Sequence, residues 1–401
     1  MAAASTTLTG QEFAPYRLGI EEFSPAILEQ AAGKKNARVG LITNQTSKDQ
    51  KGNRTLDILL KQGIKITTLF APEHGIDGVI KSGKTVENDV DHKTKLPIIS
   101  LYSLNKKNNG ASYKNSIDAF IFDIQDVGMR HYTYSATLLS VLELSATQDI
   151  PLIVLDRPNL LGAVTEGPVA SVENSFLASV PIPLRHGMTM GEIANYCNKQ
   201  VLKKAAKLHI VPMANYQRTQ IINKLIAPLS PNIQTIQACY GYSFLGLLGE
   251  IQPFDVGVGT ENAFRILGLP SDTVSKKQQA KLISLLKNNS IQAQPIEYQR
   301  RKKSYRGAKI TITNINNVSA YKTFLDIIRY CKQEKIPLTF SKDFNAALGN
   351  SSAQDYYKGI ITFQELCKKT NAELQSFYNK ATSAFIYQPA PKLKLVEPDN
   401  E

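Results

Sequence analysis

The stretch Ile117–Tyr134, "IDAFIFDIQDVGMRHYTY", decides the fold. Its run Ala119–Phe122 is apolar at every position, and the chain then turns abruptly polar, through Asp123, Gln125, Asp126, Arg130, Tyr132 and Tyr134. A strand without a polar face is buried on both sides, which is the habit of a parallel sheet covered by helices. Working outward, "RVGLIT" (38–43), "IKITTLF" (64–70), "LPIISL" (96–101), "IPLIVLD" (150–156) and "KLHIVPM" (207–213) repeat that texture. Helical patterns separate several of them: "TLDILLKQG" (55–63), closing on Gly63, the amphipathic "YSATLLSVLELSATQ" (134–148), and "MTMGEIANYCNKQVLKKAA" (188–206), whose Thr189 and Glu192 suit an N-terminal cap. The expected class is α/β, a Rossmann-like parallel sheet domain over residues 14–270. A lysine-rich helix (276–289), a strand (307–315) and a further helix (320–334) predict a smaller C-terminal α+β unit over 271–401.

In such sheets the working groups lie beyond the C-terminal ends of the strands. Those ends carry Asn44 and Gln45, Glu73 and His74, the polar set after Phe122, then Asp156, Arg157 and Asn159, with Glu166 following. Within "LFAPEHGIDG" (69–78), Glu73 follows a strand, is held by Pro72, and is close to a glycine that lets substrate approach the backbone. A carboxyl group in that setting suits general acid chemistry, and glycoside hydrolysis needs such an acid, usually with a second carboxylate. The plainer reading is that Glu73 caps its loop or pairs with Arg130.

The 401 residues are 42% hydrophobic and 20% charged, an ordinary globular balance large enough for two domains. A net charge of +13 favours an anionic partner or simply maintains solubility. The dense basic cluster "RRKKSYR" (300–306) lies between two strand-like runs and reads as a hairpin or loop, so no nucleic-acid partner is expected. Cys197, Cys239, Cys331 and Cys367 are far apart, without a C-x-x-C pair, and read as buried thiols. "GVGTEN" (257–262) lacks the third glycine and the preceding strand of a dinucleotide loop, and neither a phosphate-binding loop nor a G-x-S-x-G elbow occurs. His74, His131, Asp123 and Asp126 match no metal-ligand spacing; no metal and no cofactor are expected. Disorder is expected only in "MAAASTTLTG" and "PAPKLKLVEPDNE" at the two ends. No run approaches the ~18 apolar residues of a membrane span, and the first residues lack the apolar centre of a signal peptide. A cytoplasmic protein and the mature part of an exported one both fit.

The blocks "VGLITNQT", "LFAPEHGIDG", "LPIISLY", "DAFIFDIQDVGMRHYTY", "VLDRPN", "EGPV", "PIPLRHGMTMGEIA", "IVPM" and "LSPNI", in that order, resemble the exo-β-N-acetylmuramidases, bacterial glycosidases formerly grouped as a family of unknown function. The resemblance runs from about Val39 to Pro270 and is loose beyond. It implies a Rossmann-like domain with an auxiliary domain, and substrate in the cleft between them. The reaction it implies is removal of terminal β-1,4-linked N-acetylmuramic acid from the non-reducing end of peptidoglycan fragments. It carries the catalytic glutamate onto Glu73 as general acid/base, with His74 orienting it or touching substrate, and Asp123 and Asp126 as a second acid or as acetamide partners. Arg130, Arg157 and Arg185 become candidates to grip the lactyl carboxylate, joined by Asn44, Tyr132, Tyr134, Glu166, His186 and Glu250 in binding the sugar. One block departs. Where many members read "SEGRGT", this chain reads "DVGVGT" (255–260), with Val256 and Val258 in place of the acid and the arginine, which leaves Asp255 or Glu250 to take over. A non-catalytic glycan-binding protein and a metal-dependent hydrolase of another cell-wall bond are the alternatives. The family relation favours export to the periplasm or cell envelope, the cytoplasm being the alternative, and leaves the oligomeric state open.

Overall fold

The computed structural model describes residues 15–80, 89–101, 113–172 and 175–398. Strand β1 (Arg38–Thr43) is flanked by β2 (Lys65–Ala71) and β5 (Ala119–Asp123), both parallel to it. With β3 (Asp89–Val90), β4 (Pro97–Ser100), β6 (Leu152–Leu155) and β9 (Leu208–Val211) they form a seven-stranded sheet in the order β3-β4-β2-β1-β5-β6-β9. Every pairing is parallel except that of the short edge strand β3 with β4.

The period-two alternation of a strand is visible in how the core divides. Phe120 and Phe122 of β5 sink into one apolar cluster with Phe70, Leu152 and Val154. Ala119 and Ile121 point the other way, into a second cluster with Val39, Leu41, Leu69 and Ile153. Both faces are therefore dry. Gly40 is needed at the centre of the first face, because a Cβ there would lie 2.8 Å from both Phe70 and Ile117. The helix Tyr134–Gln148 covers this face, and ten of its fifteen residues are buried, Ser135, Thr137 and Ser145 among them, so it is buried almost all round rather than on one apolar face as expected. The helix Met190–Gln200 starts as its sequence predicts, with Thr189 and Glu192 in a reciprocal cap, but ends six residues before Ala206.

Strands β7 (Val164–Val169) and β8 (Pro183–Arg185) form a small separate sheet with β15 (Lys392–Leu393). The expectation of disorder over "PAPKLKLVEPDNE" fails there: Lys392 and Leu393 pair in parallel with Val164 and Thr165. Just before it, the Tyr387 hydroxyl donates to Asp156 at 2.7 Å and accepts from the Met213 amide at 2.9 Å. The amino-terminal stretch expected to be disordered lies outside the described residues.

The auxiliary unit centres on an antiparallel sheet, β11 (Ile266–Pro270), β13 (Lys303–Ile312) and β12 (Ile291–Arg300), in that order. The unit also holds the helices Lys276–Leu286, lying on β12 and β13, Ala320–Gln333, Phe344–Leu348, Ser352–Lys358 and Phe363–Ala381. β11 hydrogen-bonds along β13, so the second sheet begins ahead of the expected break after Pro270. The apolar helix Ile236–Leu248 packs on β13 and on the helix Ala320–Gln333, joining the two units. β10 (Ile251–Gln252) and β14 (Thr339–Phe340) form a further short antiparallel pair beside it.

Candidate active site

Chain turning away from the C-terminal ends of β2 and β5 meets the auxiliary unit at a cleft of about 910 Å³. That is within the range of sites that enclose a ligand of a few rings. Glu73 enters it from the loop after β2, and His131, Tyr132 and Thr133 enter from a turn of 3₁₀ helix that starts the helix Tyr134–Gln148. Tyr242 and Glu250 come from the joining helix and its exit, Val256 and Val258 from the loop before β11, and Arg300 and Arg301 from the tip of the β12–β13 hairpin.

Glu73 is 5% exposed. Its carboxylate accepts the Thr133 hydroxyl at 2.8 Å. Thr133 reaches it from a left-handed backbone conformation, φ 74°, that a β-branched residue adopts only at a cost. His74, at φ 71°, places Nδ1 2.6 Å from the carbonyl of Ile80. A carbonyl only accepts, so Nδ1 carries the proton and Nε2 is the imidazole's acceptor when it is neutral. The loop folds back tightly enough that a Cβ on Gly78 would meet the Gln45 amide at 2.2 Å. On the other wall, the Tyr132 hydroxyl donates to Leu229 at 2.6 Å, and the His131 ring stacks on Tyr242 with centroids 4.8 Å apart. Burial, with Arg130 beside it, pushes the His131 pKa down to about 3, so this imidazole is neutral at any working pH. Tyr242 is pushed far above the usual phenol range by burial and by Glu73 and other nearby acids, and stays protonated.

Of the residues expected at the site, Glu73, His74, Tyr132 and Glu250 line the cleft. The others stand behind its walls. Asp123 is fully buried and is bound by the Thr55 hydroxyl and by the Arg157 guanidinium, whose Nη2 lies 2.8 Å away. Those two residues therefore answer each other, and Arg157 also donates to Lys48 O at 2.9 Å. Asp126 accepts the Gly128 amide at 2.7 Å and sits 3.4 Å from His186. Asn44 donates to Tyr134 at 2.9 Å and caps its own turn through Thr46. Glu166 pairs with Arg185 at 2.7 Å and accepts the first amides of the helix Ala320–Gln333. Arg185 also donates to the carbonyls of Leu161, Ile315 and Val318 through its two terminal nitrogens, leaving Nε without a partner among the described residues. Arg130 does the same with Pro168, Ile182 and Ala347, at 2.9–3.0 Å. Arg130, Arg157 and Arg185, expected to grip a carboxylate, do not line the cleft, and buried carbonyls or carboxylates hold most of their donors, with Arg130 Nε, Arg157 Nη1 and Arg185 Nε unpartnered among the described residues.

Among the described residues the arginines that line the cleft come instead from "RRKKSYR". Its hairpin character was legible; its reach into the site was not, since nothing in β12 indicates where its tip lands. Arg300 forms an ion pair with Asp255 and donates to the carbonyl of Val258, so the hairpin is fastened to the "DVGVGT" loop. Thr133 was also missed, although it sits between two residues that were chosen. Among the described residues no group of three or more His, Cys, Asp or Glu is placed to hold a metal ion. Cys197, Cys239, Cys331 and Cys367 are free and buried.

The fold and the cleft together define a two-unit α/β protein that presents a buried carboxylate to a cleft between its units. Residues 39–237 match the model of the N-terminal domain of the exo-β-N-acetylmuramidase NamZ, and residues 240–387 that of its C-terminal domain. The chain is 31% identical to the peptidoglycan β-N-acetylmuramidase NamZ of Bacillus subtilis (strain 168) over 381 residues, 92% of this chain and 91% of that one. Crystal structures of two DUF1343 family proteins from Bacteroides fragilis share the fold, each at 24% identity, with TM-scores of 0.77 and 0.68 and 93% and 94% of this chain covered (99% of each of theirs). The chain belongs to the exo-β-N-acetylmuramidase family.

Proposed function

We propose that the protein is an exo-acting glycoside hydrolase that releases terminal β-1,4-linked N-acetylmuramic acid from the non-reducing end of peptidoglycan fragments, with Glu73 as general acid/base. Its relative in Bacillus subtilis is named a peptidoglycan β-N-acetylmuramidase, which supports this reading. The observation that carries the assignment is Glu73 itself: a carboxyl group 5% exposed, oriented by Thr133, on the wall of a cleft large enough for the sugar. A glycosidic oxygen leaves as an alcohol only if it is protonated as the bond breaks, and a carboxyl group shielded from bulk water supplies that proton. His74, the next residue, holds its loop in shape through Ile80. Among the described residues Glu250, Asp255 and Asp343 are the further carboxylates that line the cleft, Asp255 being paired with Arg300, and Glu250 is our candidate for the second acid. The expected location is the cell envelope, where the polymer lies, and fractionation of the source cells checks it.

The test is release of N-acetylmuramic acid from a β-1,4-linked N-acetylmuramyl-N-acetylglucosamine disaccharide, whose sugar alcohol needs a proton to leave, with the N-acetylglucosamine dimer as control. Glu73→Gln keeps the shape and removes the acid, and is expected to lower kcat by about 10²–10⁴-fold while sugar binding persists. Turnover equal to wild type in that variant rules Glu73 out as the acid/base. Wild type that binds the sugar and turns over neither substrate points to a glycan-binding protein. Activity that disappears with a chelator and returns with metal points to a metal-dependent hydrolase.

A further inference from the structure

We propose that the tip of the β12–β13 hairpin is the carboxylate-reading subsite of the cleft, with Arg301 as the residue that contacts the anion and Arg300 as the strut that holds the tip in place. The proposal rests on the glycosidase reading above for the identity of the sugar, and on four observations for the site.

The strut is the first. Arg300 spends both ends of its fork on the loop before β11, through Asp255 and the Val258 carbonyl. Asp255 is in turn held by the Gly257 amide at 2.9 Å and the Tyr298 hydroxyl at 3.2 Å. Tyr298 stacks on its cross-strand partner Tyr305, centroids 5.4 Å apart and planes 12° from parallel. The tip is thus fixed relative to the cleft.

The second is the state of Arg301. It lines the cleft and is exposed, and among the described residues its guanidinium has no hydrogen bond or ion pair. This distinguishes it from Arg130, Arg157, Arg185, Arg218 and Arg300, all of which are committed to protein groups.

The third is the backbone. Arg300 pairs with Lys303, so Arg301 and Lys302 are the two central residues of the turn, at φ 48° and 64°. Turns with positive φ at both central positions favour Asn and Gly, which adopt that conformation at little cost. A chain that places Arg and Lys there keeps Arg301 at the cleft in spite of the backbone preference.

The fourth is charge. Among the described residues the acids on the cleft wall are Glu73, Glu250, Asp255 and Asp343, and of these Asp255 is neutralised by Arg300. An anionic substrate entering this field needs a cation not already spent. A free guanidinium, planar and always charged, takes a carboxylate bidentately. The carboxylate has two sources in this class of substrate, the lactyl group of a peptide-free muramic acid and the peptide attached to it.

Three chromogenic substrates separate the possibilities: the muramide with its free lactyl group, the same sugar with the lactyl group extended by a dipeptide bearing carboxylates, and the neutral lactyl methylamide. Arg301→Gln is expected to raise KM about tenfold on the charged substrate it reads, with kcat within about twofold, and to leave the methylamide unchanged. Arg301→Lys restores part of the loss, since it returns the charge without the fork. A response confined to the dipeptide substrate assigns the anion to the peptide; one on the free lactyl substrate assigns it to the sugar. An equal rise on all three substrates, or none on any, overturns the subsite. If wild type turns over none of them, the glycosidase reading fails first. Calorimetric binding of N-acetylmuramic acid against its lactyl methylamide then decides the subsite: discrimination lost in Arg301→Gln supports it, and discrimination absent or unchanged overturns it.

Discussion

At the scale of the residue, the same side chain means different things according to what surrounds it. Arg130 adjoins the cleft-lining residues His131–Thr133, yet its guanidinium closes on three backbone carbonyls, one of them Ala347 in the auxiliary unit. Gly349 leaves it room, since a Cβ there would lie 2.5 Å from Nη2. Burial without a carboxylate partner among the described residues lowers its pKa to about 9. Arg130→Met should therefore behave as a stability variant. It strands three carbonyls and is expected to cost roughly 3 kcal/mol, seen as a lower Tm, while KM of the folded fraction stays near wild type. A large rise in KM with an unchanged Tm would return Arg130 to the substrate. Thr133 makes the complementary case. Thr133→Val removes the hydroxyl that orients Glu73 and preserves the β-branched shape. Its expected effect is a drop in kcat and a displaced pH profile, at a cost to stability of about 1 kcal/mol. A pH–rate profile and kcat identical to wild type would show that Glu73 does not rely on this contact.

At the scale of the element, the auxiliary sheet depends on close backbone approach. Gly307 in β13 faces Gly268 in β11, and a Cβ on Gly307 would lie 1.8 Å from the carbonyl oxygen of Leu267. That neighbour is backbone in a hydrogen-bonded ladder, so it cannot swing aside as a side-chain end would. Gly307→Ala is expected to destabilise by about 1–3 kcal/mol in chemical denaturation, and to loosen the hairpin whose tip carries Arg300 and Arg301. Unchanged stability would mean that the two strands separate more readily than their register implies.

At the scale of the whole molecule, the segment before β15 ties the C-terminal unit back to the first sheet. Glu192 and Arg218, both fully buried, form an ion pair at 2.5 Å, and Glu192 also accepts the amides of Ile386 and Tyr387. Beside them Asp156 accepts the Thr189 and Tyr387 hydroxyls, each at 2.7 Å. Burial outweighs these bonds and raises the Asp156 pKa to about 6. The unfolded chain releases this proton near pH ~4, so between the two values the folded state binds more protons. The contribution of Asp156 to stability is therefore complete below pH ~4 and is lost as pH climbs through about 6, by roughly 3 kcal/mol. Asp156→Asn should flatten the fall in Tm over that window relative to wild type. Parallel Tm curves for the two proteins would show that the proton is not taken up at Asp156.

The seven-stranded sheet was legible because its chemistry is local. Runs such as Ala119–Phe122 and Leu152–Leu155 have no polar face, and such a strand can only lie between two layers. Glu73 was legible for the same reason: a strand end, a proline and a glycine define its loop without reference to distant residues. The partners of Arg130, Arg157 and Arg185 lie 34 to 217 positions away in the chain for the first two, and across the Val318 and Ile315 loops for the third. Only the packed fold decides whether such a guanidinium meets carbonyls, a carboxylate or solvent. The pairing of Lys392–Leu393 with β7 was hidden likewise, since two residues of strand are stabilised by the edge they join and not by their own pattern. Residue order determined the layers and the acid at the end of β2. The tertiary structure determined which charges are spent inside and which are left to face the cleft, because the burial of a charge depends on neighbours that are remote in sequence.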